Sequence, residues 1–129
     1  MNKLPIQLSD ASGVPYYRQI VDQLAQFISS GQLVPDSRLP SVRELAGQLL
    51  VSLITVRRSY ADLEAAGLIV RRQGYGTFVA KDVEVASRKR TLAEGRRLVA
   101  EAVVQAKQLG LTEPEIRKIV GESLARAGE

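Results

Sequence analysis

Between Arg43 and Tyr75 the chain gathers side chains suited to holding nucleic acid. Arg57 and Arg58 sit side by side behind Ile54 and Thr55. Arg43 and Ser52 precede them, and Arg71, Arg72, Gln73, Gly74 and Tyr75 follow. A guanidinium is a planar fork of donors that fits phosphate oxygens or a guanine edge, and a methyl-rich side chain touches thymine methyls. Other chemistries lack their reagents. The 129 residues include no histidine and no cysteine. The commonest general base is therefore absent, as are a thiolate, a Cys-based zinc site and a disulfide. Gly74-Tyr75-Gly76 is too short to cradle a nucleotide. The expectation is a protein that binds and does not catalyse, with no metal and no cofactor.

Two helices must carry these groups. The stretch Leu39–Tyr60, LPSVRELAGQLLVSLITVRRSY, reads as helix, tight turn and helix. Ser41 is followed three residues later by Glu44, the spacing at which each side chain satisfies a free backbone N–H of a helix start. Val42, Leu45, Ala46 and Leu49 then share one face. Ser52 is placed to cap the second helix and Gly67 to end it. At about 100° per residue, Val56, Tyr60 and Leu63 define the buried side of that helix. Ile54, Arg58, Ala61 and Ala65 then point outward, flanked by Thr55 and Arg57. Such a face suits the DNA major groove, because short side chains permit close approach.

Leu68–Gln73, Gly74-Tyr75-Gly76 and Thr77–Val79 read next as strand, glycine turn and strand, a β-hairpin in the position of a wing. LPSVRELA, TVRRSYADLEAAGLI and RRQGYGTFV thus stand in fixed order. Over about residues 15–80 the chain resembles the GntR-type bacterial transcription regulators. The resemblance implies roles residue by residue. Arg43 of the LPSVREL motif contacts the DNA backbone or a base edge, and Ser52 binds phosphate as well as capping. Thr55 and Arg57, with Arg58 next, supply groove contacts. Gln73, Gly74 and Tyr75 form a wing tip that enters the minor groove or follows the backbone. Arg71 and Arg72 alternate across a strand, so one of them faces DNA, and Arg72 is assigned that place. Leu53 stands where many members carry arginine or proline, and Ile54 where a polar residue is common. Base preference therefore does not transfer from relatives, and readout through Ile54 is expected to be partly apolar.

The rest of the chain supports this unit. Residues 1–14 read as an extended arm, with Ile6 and Leu8 alternating with Gln7. Pro15 opens a helix to about Ser30 whose stripe is Tyr17, Ile20, Val21, Leu24, Phe27 and Ile28. Gln32–Arg38 reads as a loop. Residues 81–90, KDVEVASRKR, read as a charged connector, in which Arg88-Lys89-Arg90 is either a phosphate contact or a solvated run. From Thr91 a helical period resumes through Leu92, Val99, Ala102, Val103, Ala106 and Leu109. Thr112 and Glu115 repeat the capping spacing ahead of Ile116, Ile119, Val120, Leu124 and Ala127. The fold class is mainly α with a small β-hairpin: a winged helix-turn-helix domain over 1–80, followed over 91–129 by a helical hairpin.

Two helices alone bury little, and each needs a cover for its apolar stripe. The expected cover is the same hairpin of a second subunit, through Leu92, Val99, Val103, Leu109, Ile116, Ile119, Val120 and Leu124. A two-fold dimer sets two recognition helices on the half-sites of a palindromic operator. This short C-terminal region resembles the subfamily typified by YtrA and is too small for the family's larger effector domains. Whether a small molecule binds at the dimer interface stays open.

Net charge is +4, with eight basic and six acidic residues over 1–80 and ten and eight over 81–129. The surplus is evenly split, so the argument rests on where arginines sit. No apolar run is long enough for a membrane span and Met1–Asp10 lacks a leader pattern, which fits a cytoplasmic protein.

Plainer readings compete. Arg43 could pair with Asp36, Arg58 could reach Asp62 at i+4, and Tyr75 could be incidental to its turn. A winged helix used only for protein contacts is the alternative function; it predicts an apolar or acidic outer face. Arg57, Arg58 and the arginine-rich wing argue against it. The resulting expectation is a sequence-specific DNA-binding regulator of transcription, a repressor acting as a homodimer on double-stranded DNA.

Overall fold

A computed structural model describes residues 4–128, and the chain divides into two compact units between Arg90 and Thr91. The first unit starts with an arm in which Ile6 is buried and Leu4 and Leu8 pack partly on the core. Two glutamines of helix α1 (Tyr16–Ser29) clasp that arm. The Gln23 amide accepts from the Gln7 N–H at 2.9 Å and donates to the Gln7 carbonyl at 2.7 Å. Gln19 makes the same pair with Ser9, at 2.9 and 2.8 Å. Gln19 is buried, and these bonds offset the cost of taking its amide out of water.

Strand β1 (Arg38–Leu39) leads into α2 (Val42–Leu49). The reciprocal cap is present: the Glu44 N–H donates to Ser41 Oγ and the Ser41 N–H to Glu44 Oε1, both at 3.0 Å. Hydrogen bonds from the Ser41 backbone and side chain hold the Glu44 carboxyl below its usual range, and Arg38 adds to the effect. Leu50 ends the helix in a left-handed conformation, φ 57°. Helix α3 (Leu53–Ala65) follows, capped by Ser52, which accepts from the Thr55 N–H at 3.2 Å. Gly67, at φ 78°, turns the chain into the wing.

The wing is β2 (Ile69–Arg72) and β3 (Gly76–Val79). The sheet has three strands in the order β1-β3-β2, all antiparallel, with Arg38 opposite Phe78 and Leu39 opposite Thr77. Arg38, read as the end of a loop, is therefore strand. A two-residue strand has no periodicity to detect, and only its partner's ladder defines it. Ile20, Leu24, Leu39, Leu45, Val56, Leu63 and Leu68 are almost wholly removed from water between these elements. Each such side chain contributes on the order of 1.5–3 kcal/mol by burial.

The helical period expected to resume at Thr91 begins earlier. Helix α4 spans Val83–Gln108, so most of the segment read as a connector is helix. Buried Val83 anchors its first turn, and the Glu, Ala, Arg and Lys residues after it are good helix formers. In the second unit, α5 (Glu113–Ala127) starts with the reciprocal Thr112–Glu115 cap, and none of its residues is buried. No helix among the described residues is long and apolar enough to cross a membrane.

Candidate nucleic-acid interface

The recognition helix α3 is held from inside. Val56, Ser59, Tyr60 and Leu63 form its buried side. The opposite face is open: Ile54 is 74 % exposed, and Arg57, Arg58, Ala61 and Ala65 are exposed as well. Ser59, one residue beyond Arg58, donates to the Tyr17 carbonyl at 2.9 Å and so fastens α3 to the start of α1.

Four arginines converge beside α3. Arg38, Arg57, Arg71 and Arg72 line one groove between the start of α2, α3 and the wing, with Ser41 and Gln73 also on its wall. No aspartate or glutamate lines it. A second groove, which Arg71 also lines, is mixed, with Glu64 and Asp82 beside Arg71 and Lys89. Cations focused in a concave surface raise the local potential well beyond what a net charge of +4 suggests. Gly76, at φ 123°, makes room for this: a Cβ there would stand 3.2 Å from Arg38 Nε.

The assigned residues are not all brought to one place. Arg57 and Gln73 meet in the groove with Gly74, and Tyr75 projects at the turn, 73 % exposed. Ser52 is engaged as the cap, its hydroxyl 2.9 Å from that of Thr55. Arg43 is exposed in the first turn of α2, outside the groove lining, and Asp36, the carboxylate weighed as its partner, pairs with Arg72 instead. Arg72 is less free than its assignment implies: it pairs with Asp36 and lies 4.5 Å from the Phe78 ring centroid. Arg58 does not reach Asp62 but stacks over Tyr17, 3.6 Å from the ring centroid.

Arg38 and Arg71, which the sequence pattern does not assign to the site, complete the groove. The sheet's third strand brings Arg38 in. Arg71 is exposed while Arg72 is half-buried, because Arg72 turns back onto Asp36. Tyr17, on the α1 stripe by period alone, carries Arg58 on its ring and accepts from Ser59 at its carbonyl. Among the described residues no group of acidic residues is placed to hold a metal ion.

The family model for bacterial regulatory proteins, gntR family, matches residues 16–79. The chain is 36% identical over 104 residues to the HTH-type transcriptional repressor YtrA of Bacillus subtilis (strain 168), which covers 81% of this chain and 75% of that protein. A GntR family transcriptional regulator from Listeria monocytogenes superposes with TM-score 0.72 at 28% identity, over 89% of this chain and 98% of that one. The AraR DNA-binding domain in complex with operator ORX1 superposes with TM-score 0.51 at 36% identity, over 62% of this chain and 93% of that one.

Proposed function

Because the chain belongs to the gntR family of bacterial regulatory proteins, we propose that it is a repressor that binds a palindromic operator as a homodimer. It is a transcription regulator with a winged helix-turn-helix DNA-binding domain, and not an enzyme. The observation that carries the DNA-binding reading is the groove beside the open face of α3, lined by four arginines and no acidic residue, of which Arg72 alone is ion-paired, with Asp36, among the described residues. That combination suits a duplex: α3 enters the major groove, while Arg57 and the wing arginines meet base edges and phosphates. The operator complex of the AraR domain supports the same docking here.

Dimerisation is argued from the second unit. Leu92, Val99, Leu109, Ile119, Val120 and Leu124 all remain exposed in the isolated chain, and Val103 and Ile116 are only half-buried. Apolar surface of this extent needs a cover, and a second copy supplies an identical stripe. Repression follows from occupancy, since a dimer lying over a promoter excludes polymerase without any effector. The protein then works in the cytoplasm, where the chromosome lies.

Selection of binding sites from random duplex DNA, repeated with Arg57→Ala and Arg71→Ala, tests the reading. An enriched inverted repeat for the natural chain, weakened or blurred for the variants, is the expected result. Recovery of no motif by the natural chain counts against sequence-specific binding.

A further inference from the structure

We propose that Tyr17 is a positioning residue for DNA contact. Its ring turns Arg58 into a clamp on the DNA backbone and leaves base reading to Arg57 and the centre of α3. This rests on the DNA-binding reading above.

Four observations carry it. The Arg58 guanidinium carbon lies 3.6 Å from the Tyr17 ring centroid, the distance of face-to-face contact. One face of the cation is thereby covered, and its N–H donors point outward in the plane of the fork. Next, the tyrosine is itself held, because Ser59 donates to its carbonyl at 2.9 Å. Two consecutive residues of α3 thus grip one residue of α1, by ring and by backbone. Third, Arg58 is exposed and, among the described residues, has no carboxylate within 4.0 Å. Its charge is not neutralised within the fold, unlike that of Arg18, Arg72 or Arg90.

Finally, the direction of the side chain separates its role from that of Arg57. Arg58 springs from the outward face of α3, yet its head is drawn aside to the first turn of α1. Arg57, about 100° around the helix, enters the groove beside the wing. The middle of the face is left to Ala61, short enough for close approach to bases, and to Ile54, whose methyls can meet thymine methyls. A guanidinium parked at the helix flank meets the sugar–phosphate wall of the groove, where bidentate donors match phosphate oxygens. The stack removes rotamer freedom before DNA arrives, so less is lost on binding.

The test uses the full-length chain on a duplex enriched by selection and on an unrelated duplex, across a sodium chloride series. Arg58→Ala is expected to weaken both duplexes by a similar factor and to lower the log–log salt slope by about one unit per bound subunit, with the enriched motif unchanged. Tyr17→Phe keeps the ring and is expected to bind like the natural chain. Tyr17→Leu is expected to weaken both duplexes in the same direction, and to add nothing in an Arg58→Ala background. A loss confined to particular base positions in Arg58→Ala makes Arg58 a base reader and overturns the proposal. An unchanged affinity and slope in that variant overturns it too, even if Tyr17→Leu fails to fold. If the natural chain binds neither duplex, the DNA-binding reading falls and takes the clamp with it.

Discussion

The hydroxyl of Tyr60 donates a 2.7 Å hydrogen bond to the carbonyl of Pro40, and both residues are almost wholly out of water. This bond ties the middle of the recognition helix to the segment that launches α2, so the angle between the two helices has a polar latch inside an apolar core. Burial pushes the Tyr60 phenol far above its ordinary value, with the Glu44 charge adding to it. Tyr60→Phe strands the Pro40 carbonyl and is expected to cost about 1–3 kcal/mol in urea unfolding at neutral pH, with no change in the denaturant slope. The pH dependence has a definite sign. A phenol raised in the folded state stabilises fully below its ordinary value of 10.0, and that contribution is lost as pH rises above it. The stability gap between the natural chain and Tyr60→Phe should therefore shrink on going from neutral to strongly alkaline solution. A gap that widens there contradicts the buried neutral phenol.

Leu50 occupies the tight turn between α2 and α3 at φ 57° and ψ 46°, and is 90 % exposed. A branched side chain is costly in that left-handed region, and here burial returns nothing. Leu50→Gly is expected to raise stability by about 1 kcal/mol, which for a domain of this size is a rise of roughly 4–8 °C in Tm. Scanning calorimetry of the two proteins decides it. An unchanged or lowered Tm means that the freedom glycine adds to the unfolded chain outweighs the strain relieved at this turn.

Asp36 forms an ion pair with a groove arginine, Arg72. Its carboxylate faces Arg72 while its backbone sits at φ 67°, a region that asparagine tolerates. Asp36→Asn should keep the turn and release Arg72. The expected outcome is tighter binding of any duplex at low salt with a steeper salt dependence, and little change in stability, because the pair is half-exposed on both sides. Fluorescence anisotropy across a salt series reads this directly; weaker binding at low salt means the pair instead holds the wing in its working position.

What sequence reveals here follows from distance along the chain. The caps at Ser41, Ser52 and Thr112 are local, three residues from their partners, and the types involved announce them. The wing is announced by Gly74 and Gly76 between β-rich runs, and the open face of α3 by the period of Val56, Tyr60 and Leu63. The pairings that define the groove are not local. Asp36 meets Arg72 across 36 residues, Ser59 meets Tyr17 across 42, and Arg38 becomes a strand only because Phe78 lies opposite. Tyr17 looks like any member of an apolar stripe until the fold sets a guanidinium on its ring. The glutamines that clasp the arm are equally silent, since a buried amide has no signature apart from the backbone it serves.

The second unit offers the last prediction. Ile119 is 46 % exposed and Leu124 is 69 % exposed on α5, a helix with no buried residue of its own. A side chain so open contributes little to the fold of the single chain, so Ile119→Glu should leave the helical signal and the winged domain intact. Placed in a self-complementary interface, the same substitution sets two carboxylates against apolar surface and against each other, because a two-fold axis doubles every change. Sedimentation analysis is expected to give monomers. Binding to a full inverted repeat should fall towards the affinity for one half-site, because the second recognition helix no longer arrives tethered. The half-site affinity itself should not move, which separates lost dimerisation from damage to the reader. An Ile119→Glu protein that stays dimeric and keeps its full operator affinity would place the interface elsewhere on the chain.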